Sequence, residues 1–379
     1  MRRAKATRTV RKGSSLADVA RLAGVSPQTA SRVSTGSNQV SSKTAARVRA
    51  AMEALEYVPN HAARALRHGS YRAIGAVTQQ LERTGEALTV GGIVSEADGR
   101  GYSVTVIQAG EPQTGDVQRS LTRLAKLPID GLIVVNTGLT RNALVNLPPN
   151  LPVVVCDMKL AESFPAVVGD EDRAIRDLME HLYSLGHRNI HHLAGAQDSH
   201  AAAVRETAWR ESMLDAGLAP GKKWQGDWTM SSGYATGLKI AEDPTVTAVS
   251  CANDEMAFGL IEALKSKGLR VPQDISVVGF DGCELSEFSN PPITTAKQDF
   301  RLHAAEAVKA LIDQIDNRRP APQAVKLLPV KVLVRESTGP VSLERRAVGP
   351  NRAAHAGDET FGSEGGTRTP DLTIMSRTL

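Results

Sequence analysis

The chain has 379 residues with 45 Lys and Arg against 41 Asp and Glu, a length that divides into two or three domains with cores of their own. No run approaches the roughly 18 consecutive apolar residues of a transmembrane helix. Three widely spaced cysteines, Cys156, Cys251 and Cys283, fit neither a disulfide scaffold nor a metal centre.

The net charge of +4 conceals segregation. Residues 1–72 carry 14 basic side chains and three acids, Asp18, Glu53 and Glu56, while the remainder carries 31 basic and 38 acidic ones. A basic head on an acidic body points to a polyanion as the partner of the head. Residues 1–13 have no apolar period and read as a disordered basic arm. No apolar stretch follows them, so they do not read as a secretory leader, and a cytoplasmic location is expected.

From Leu16 a helical pattern begins, with Leu16, Val19, Ala20 and Ala23 on one face. "AGVS" turns the chain at Gly24. Ser26 can cap a second helix and Pro27 suits its first turn. That helix, "PQTASRVS", has an apolar side of only Ala30 and Val33, opposite Gln28, Thr29, Ser31 and Arg32. A third helix starts after Ser41 or Ser42 with Val48, Ala51, Met52 and Leu55 inward, and Pro59 is expected to interrupt it. The three form a helix-turn-helix unit over residues 14–58, whose narrow second helix fits a major groove. Gln28 pairs naturally with an adenine edge and Arg32 with guanine O6 and N7. Residues 59–72 read as a short helix and linker. Asn60 caps it, Ala62, Ala63, Ala65 and Leu66 form an apolar strip, and Arg64 and Arg67 flank it. Alone it is too short to be stable, so it should form only against a partner, with Leu66 the candidate minor-groove wedge.

Residues 73–340 alternate apolar runs with amphipathic stretches. "AIGAV", "YSVTVI", "DGLIVV", "LPVVVCD", "NIHHLAG", "TAVSCAND" and "ISVVGFD" read as strands. Helices are expected over about 87–98, 116–126, 171–185, 201–216 and 255–267. The rhythm predicts parallel α/β sheets in two lobes. Ligands in such sheets bind beyond the carboxyl ends of the strands. Asp157, the pair Asn253 and Asp254, and Asp281 fall at such ends, with Trp228 in a connecting segment and Arg205 able to offer a fork of donors. Acids, amides and an aromatic face together describe a sugar pocket. No P-loop, dinucleotide fingerprint or metal motif is present, and an enzyme, a cofactor and a metal are not expected.

"LADVARLAGVSPQTASRVSTGSNQVSSKTAARVRAAMEALEYVPNHAARALR" resembles the headpiece of the lactose repressor family of bacterial transcriptional regulators, also called the galactose repressor family. "ISVVGFD" and "PPITTAKQDF" resemble its core, and the likeness spans about residues 16–338. The resemblance implies a helix-turn-helix headpiece with a hinge helix, followed by a two-lobed, periplasmic-binding-protein-like α/β core. The N-lobe would take about 73–169 and 300–325, the C-lobe about 170–297 and 328–339. "QGDWTMSSGY" and "CANDEMAFG" are most similar to the galactoside-responsive members. By that likeness the effector residues are Asp157, Arg205, Trp228, Asn253, Asp281, Gln298 and Phe300. The DNA-binding residues are Ser26, Gln28, Thr29, Ser31 and Arg32, with Asn60, Ala63, Arg64, Leu66 and Arg67 of the hinge.

The resemblance further implies a repressor acting as a homodimer on a pseudo-palindromic double-stranded operator, released by a small sugar, a galactoside, held between the lobes. Within the same fold, the alternatives are a nucleoside, a phosphorylated sugar or another metabolite. A non-secreted carbohydrate-binding protein without a regulatory role, or a transport component, is the alternative of another class. Pro27 departs from the tyrosine of the galactoside-responsive members, so the operator need not match theirs. Cys283 lies just beyond Asp281, and "QQLERTG" aligns poorly with the family's first-strand loop. Residues 341–379 do not resemble the leucine-rich tetramerising helix that ends a galactoside-responsive member and read as a disordered tail, so a dimer is expected.

Overall fold

The computed structural model describes residues 14–34, 39–57, 70–109, 123, 126–135, 147–148, 150–318 and 322–342. The basic arm, the hinge residues Asn60, Ala63, Arg64, Leu66 and Arg67, most of the helix expected over 116–126, and the tail from 343 lie outside the described residues.

In the head, helix α1 (Leu16–Ala23) starts at a reciprocal cap. The Asp18 amide donates to Ser15 Oγ at 3.3 Å, and the Ser15 amide donates to Asp18 Oδ2 at 2.9 Å. The helix stops where Gly24 turns left-handed at φ 63°, and the Val25 amide reaches back to the Ala20 carbonyl at 3.0 Å. Helix α2 (Pro27–Ser34) is opened by Ser26, whose Oγ accepts from the Thr29 amide at 3.1 Å. Helix α3 (Ser42–Ala54) is opened by Ser41. Val19, Ala20, Ala23, Ala30, Val48 and Ala51 close the small core, with Leu16, Val25, Val33 and Met52 packed around it. Pro59 does not end α3. The helix ends at Ala54, because Glu56 adopts φ 46° and the Tyr57 amide bonds the Met52 carbonyl at 2.9 Å. This is the termination α1 uses, with glutamate where α1 has glycine.

The chain divides into two units, one ending at Gly169 and reclaiming Asp299–Leu328, the other comprising Asp170–Gln298 and the residues from Pro329. In the first unit, strands β1 (Ala73–Thr78), β2 (Ser103–Gln108), β3 (Gly131–Val135), β4 (Val153–Cys156), β5 (Ala166–Gly169) and β11 (Val325–Leu328) form one sheet in the order β11-β5-β4-β3-β1-β2. All its pairings are parallel. Helix α4 (Thr84–Gly99) lies against α10 (Phe300–Asn317) so closely that a Cβ on Gly92 would stand 2.7 Å from Ala304 Cβ.

The second unit repeats the plan. Its sheet runs β12-β10-β9-β8-β6-β7, from β6 (Ile190–Ala194), β7 (Lys223–Gln225), β8 (Ala248–Cys251), β9 (Ser276–Asp281), β10 (Thr294–Lys297) and β12 (Lys331–Leu333). Only β10 with β12 is antiparallel. Helices α5 (Glu171–Ser184) and α6 (His200–Asp215) cover one face. Helices α7 (Met230–Ile240) and α8 (Asp254–Ser266) cover the other. The β-branched, fully buried runs of β3, β4, β8 and β9 are what two-sided burial demands of parallel strands.

His192 of β6 is fully buried and stacked on Trp209, with ring centroids 5.2 Å apart. Burial pushes its imidazole down to about 3. An unfolded chain protonates this histidine as pH falls through about 6.5, while the folded chain does not, so folding stability drops between that pH and the native value. His192→Phe is therefore expected to lose less stability than the wild type between pH 8 and pH 5, measured by urea unfolding. Equal losses would contradict this.

Candidate functional site

Two surfaces carry the sequence-predicted residues. On α2 of the head, Gln28 and Arg32 are exposed one helical turn apart, and Thr29 and Ser31 are half-buried beside them. Ala30 is buried on the opposite side. Ser26 is exposed at the helix start, where it caps. The apolar minimum of this helix thus docks it and leaves Gln28 and Arg32 at the surface.

The second surface lies in the second unit, at the carboxyl ends of its strands. Its strand order reverses between β6 and β8, the position at which open α/β sheets leave a crevice. Arg205 of α6 is the centre. Its Nε and Nη2 donate to the two oxygens of Glu171 at 3.2 and 2.8 Å, its Nη1 donates to the Ala252 carbonyl at 2.5 Å, and Asp281 Oδ1 lies 3.3 Å from Nη2. The guanidinium lies 3.9 Å from the centroid of the Phe280 ring and 5.5 Å from that of Trp228. Burial disfavours the charge on Arg205, but the Glu171 and Asp281 carboxylates outweigh it and raise its pKa. Asp281 moves upward through burial, opposed by Arg205.

Trp228 is half-buried and sits at φ 80°. Its indole packs against Gly195, just past the end of β6, where a Cβ would stand 2.2 Å from Trp228 Cζ2. Asn253 is not an unencumbered ligand group. Its Oδ1 accepts from the Met256 amide at 3.0 Å as the cap of α8, and its Nδ2 donates to the Trp228 carbonyl at 2.9 Å and to Glu255 at 2.8 Å. Gln298 donates to Asp281 Oδ1 at 2.9 Å.

The structure therefore brings Arg205, Trp228, Asn253, Asp281 and Gln298 together. Asp157 and Phe300 belong to the first unit. There Asp157 is buried at the carboxyl end of β4 and bonds the Lys159 amide at 2.9 Å. The Phe300 ring comes 3.4 Å from where a Cβ on Gly85 would be. At the "QQLERTG" loop, Glu86 in the first turn of α4 accepts from the Gln79 and Gln80 amides at 3.0 and 2.9 Å and from Thr78 Oγ1.

Sequence reasoning passed over Glu171 and treated Asp254 only as a neighbour of Asn253. Glu171 reads as an ordinary acid in a helix first turn, and its pairing with Arg205 is purely tertiary. Among the described residues no group of three or more His, Cys, Asp or Glu is arranged to hold a metal ion, and no helix is long and apolar enough to cross a membrane.

Residues 15–60 match the model of bacterial regulatory proteins of the lacI family, and residues 179–338 match that of the periplasmic binding protein-like domain. The lactose operon repressor of Escherichia coli K12 is 35% identical over 330 residues, which cover 85% of this chain and 90% of that protein. The HTH-type transcriptional repressor PurR of Vibrio campbellii is 31% identical over 328 residues, 84% of this chain and 97% of that protein. Among solved structures, a lac repressor dimer bound to operator and the anti-inducer ONPF superposes with a TM-score of 0.78 at 34% identity, covering 86% of this chain and all of that one. A complex of the transcriptional regulator CelR with cellobiose gives 0.63 at 29% identity, covering 86% of this chain and 99% of that one. The helix-turn-helix head, the two α/β units and these likenesses together place the chain in the LacI family of transcriptional regulators, as a DNA-binding repressor with an effector-binding core and not an enzyme.

Proposed function

We propose that the effector is a small neutral sugar, a galactoside, and that it lowers the affinity of a homodimer for a pseudo-palindromic operator. The observation that carries this reading is the charge state around Arg205. The cation already faces two carboxylates, Glu171 and Asp281, with a third, Asp254, close enough to perturb it. An anionic ligand, a phosphorylated sugar included, would meet net negative charge there. A neutral polyol gains from the same groups, with Asp281 as acceptor and the Trp228 face as an apolar platform for a sugar ring. Asp157 and Phe300 are assigned to the same effector from the sequence resemblance.

On the DNA side, Gln28 and Arg32 take base edges, Ser26, Thr29 and Ser31 line the same helix, and Asn60, Ala63, Arg64, Leu66 and Arg67 form the hinge. Exposed apolar side chains support association with a second copy. Phe288 is 75% exposed, and Met230 and Tyr234 stand one turn apart on α7. A second reading, a neutral β-linked disaccharide, is favoured by the likeness to the cellobiose complex.

Calorimetric titration of the purified protein with lactose, allolactose, galactose, methyl β-D-thiogalactoside, cellobiose, glucose and guanine tests the effector. Saturable galactoside binding, lost in Trp228→Ala, is the expected result. Folded protein that ignores every galactoside but binds another of these ligands would overturn the assignment.

A further inference from the structure

Two side chains that the proposed effector would use sit on strained backbone. Trp228 has φ 80° and Asp281 has φ 96°. Neither is glycine, and such conformations are costly for a residue with a side chain, so they persist only where surrounding bonds hold them. Asp281 is held in part by Gln298, whose amide donates to its carbonyl at 3.1 Å and whose Nε2 donates to its Oδ1 at 2.9 Å; further bonds at both places come from two consecutive residues at the start of α8. Asn253 Nδ2 holds the Trp228 carbonyl at 2.9 Å. Asp254 Oδ2 accepts from the Cys283 amide at 2.9 Å, two residues beyond Asp281 and just past Gly282 at φ 67°. Asp254 Oδ1 accepts from Thr295 Oγ1 of β10 at 2.6 Å. The carboxyl is fully buried, and strand β9 makes room for it: a Cβ on Gly279 would stand 2.2 Å from Asp254 Oδ1.

We propose that Asp254 is the positioning residue for Asp281, and that with Asn253 it makes the first turn of α8 the common anchor of both effector-reading side chains. The inference rests on the reading that Asp281 and Trp228 meet the effector. A helix that grips both would carry a change at one of them to the other.

The environment of Asp254 also raises its carboxyl toward neutral pH. Burial pushes its carboxyl up to about 7, reinforced by the Asp281 carboxylate and opposed by the bonds from Thr295 and Cys283. The other groups facing it are Arg205 of α6, the Cys251 thiol of β8 and the Cys283 thiol, both thiols held neutral by burial. Below pH 7 the protonated carboxyl is a weaker acceptor for the Cys283 amide, so the turn carrying Asp281 loosens and effector affinity falls. As pH rises through that range the ionised carboxylate restores the grip.

The test uses full-length wild type, Asp254→Asn and Thr295→Val, the last removing one hydroxyl donor and keeping the carboxyl. Hydrogen exchange at the Cys283 amide, corrected for intrinsic rate, is read beside calorimetric titration with methyl β-D-thiogalactoside from pH 6 to pH 8. The expected result is at least tenfold faster exchange and at least tenfold weaker binding in Asp254→Asn, with a smaller loss in Thr295→Val. Wild-type affinity should rise with pH across that range and the Asp254→Asn profile should be flat. If Asp254→Asn does not fold, Thr295→Val decides: unchanged exchange and an unchanged pH profile in that variant overturn the proposal. If Asp254→Asn folds with wild-type exchange, the proposal fails whatever the ligand does. If the wild type binds no galactoside, the effector assignment fails, and the Cys283 exchange comparison still decides the role of Asp254.

Discussion

Arg205→Leu is expected to destabilise the second unit by about 3–5 kcal/mol and to abolish the effector response. The side chain is only 5% exposed, so solvent does not screen its pairs. Its removal strands the Glu171 and Asp281 carboxylates and the Ala252 carbonyl around an empty volume. The stability loss is read by urea unfolding, and the binding loss by calorimetry at a temperature where the variant is folded. The double variant Arg205→Leu with Glu171→Leu separates the two effects. It removes charges of both signs, so stability should recover substantially while effector binding does not. Recovery of both would mean that Arg205 serves only to balance Glu171.

Arg32→Ala is the second large effect. A bidentate contact to guanine contributes about 1–3 kcal/mol of discrimination, so affinity for a preferred duplex should fall roughly 5- to 150-fold. Affinity for random duplex should fall far less, and the salt dependence of specific binding should change little, because a base edge releases no counterion. Fluorescence anisotropy with a duplex selected from random sequence by the protein itself measures both. An equal loss on selected and random DNA would make Arg32 a phosphate contact and move base reading elsewhere on α2.

The architecture was legible wherever local chemistry agrees with the tertiary outcome. Gly24, Ser26 and Ser41 mark the head helices because caps and turns are chosen by residues a few positions away, whereas Ser15 shows itself as a cap only in the fold. The buried strands announce themselves through continuous Val and Ile. Helix α7 was hidden because Gly233 and Gly237 look like breakers. Their purpose is proximity: a Cβ on Gly233 would stand 2.2 Å from the Met256 carbonyl oxygen, and one on Gly259 2.0 Å from that of Met230. Strands of three or four residues such as β5 and β7 are too short to show a period.

For the site, residue types at strand ends were readable, but not their partners. The separation of 34 positions between Glu171 and Arg205 carries no signal of the ion pair. The sequence presents Asn253 as a group facing ligand, whereas its amide is engaged in capping α8 and holding Trp228, which only the folded helix start reveals. The end of α3 at Ala54 was misplaced for a similar reason, since nothing local distinguishes Glu56 as left-handed.

If a neutral galactoside taken up by the Arg205–Trp228–Asp281 cluster releases the protein from its operator, operator affinity will register it. Anisotropy reads that affinity with and without saturating methyl β-D-thiogalactoside, for wild type and Trp228→Ala. Adding the thiogalactoside should weaken operator binding by the wild type and leave a folded Trp228→Ala that still binds operator unchanged. Wild-type operator affinity indifferent to the sugar, or an equal response in Trp228→Ala, would contradict it.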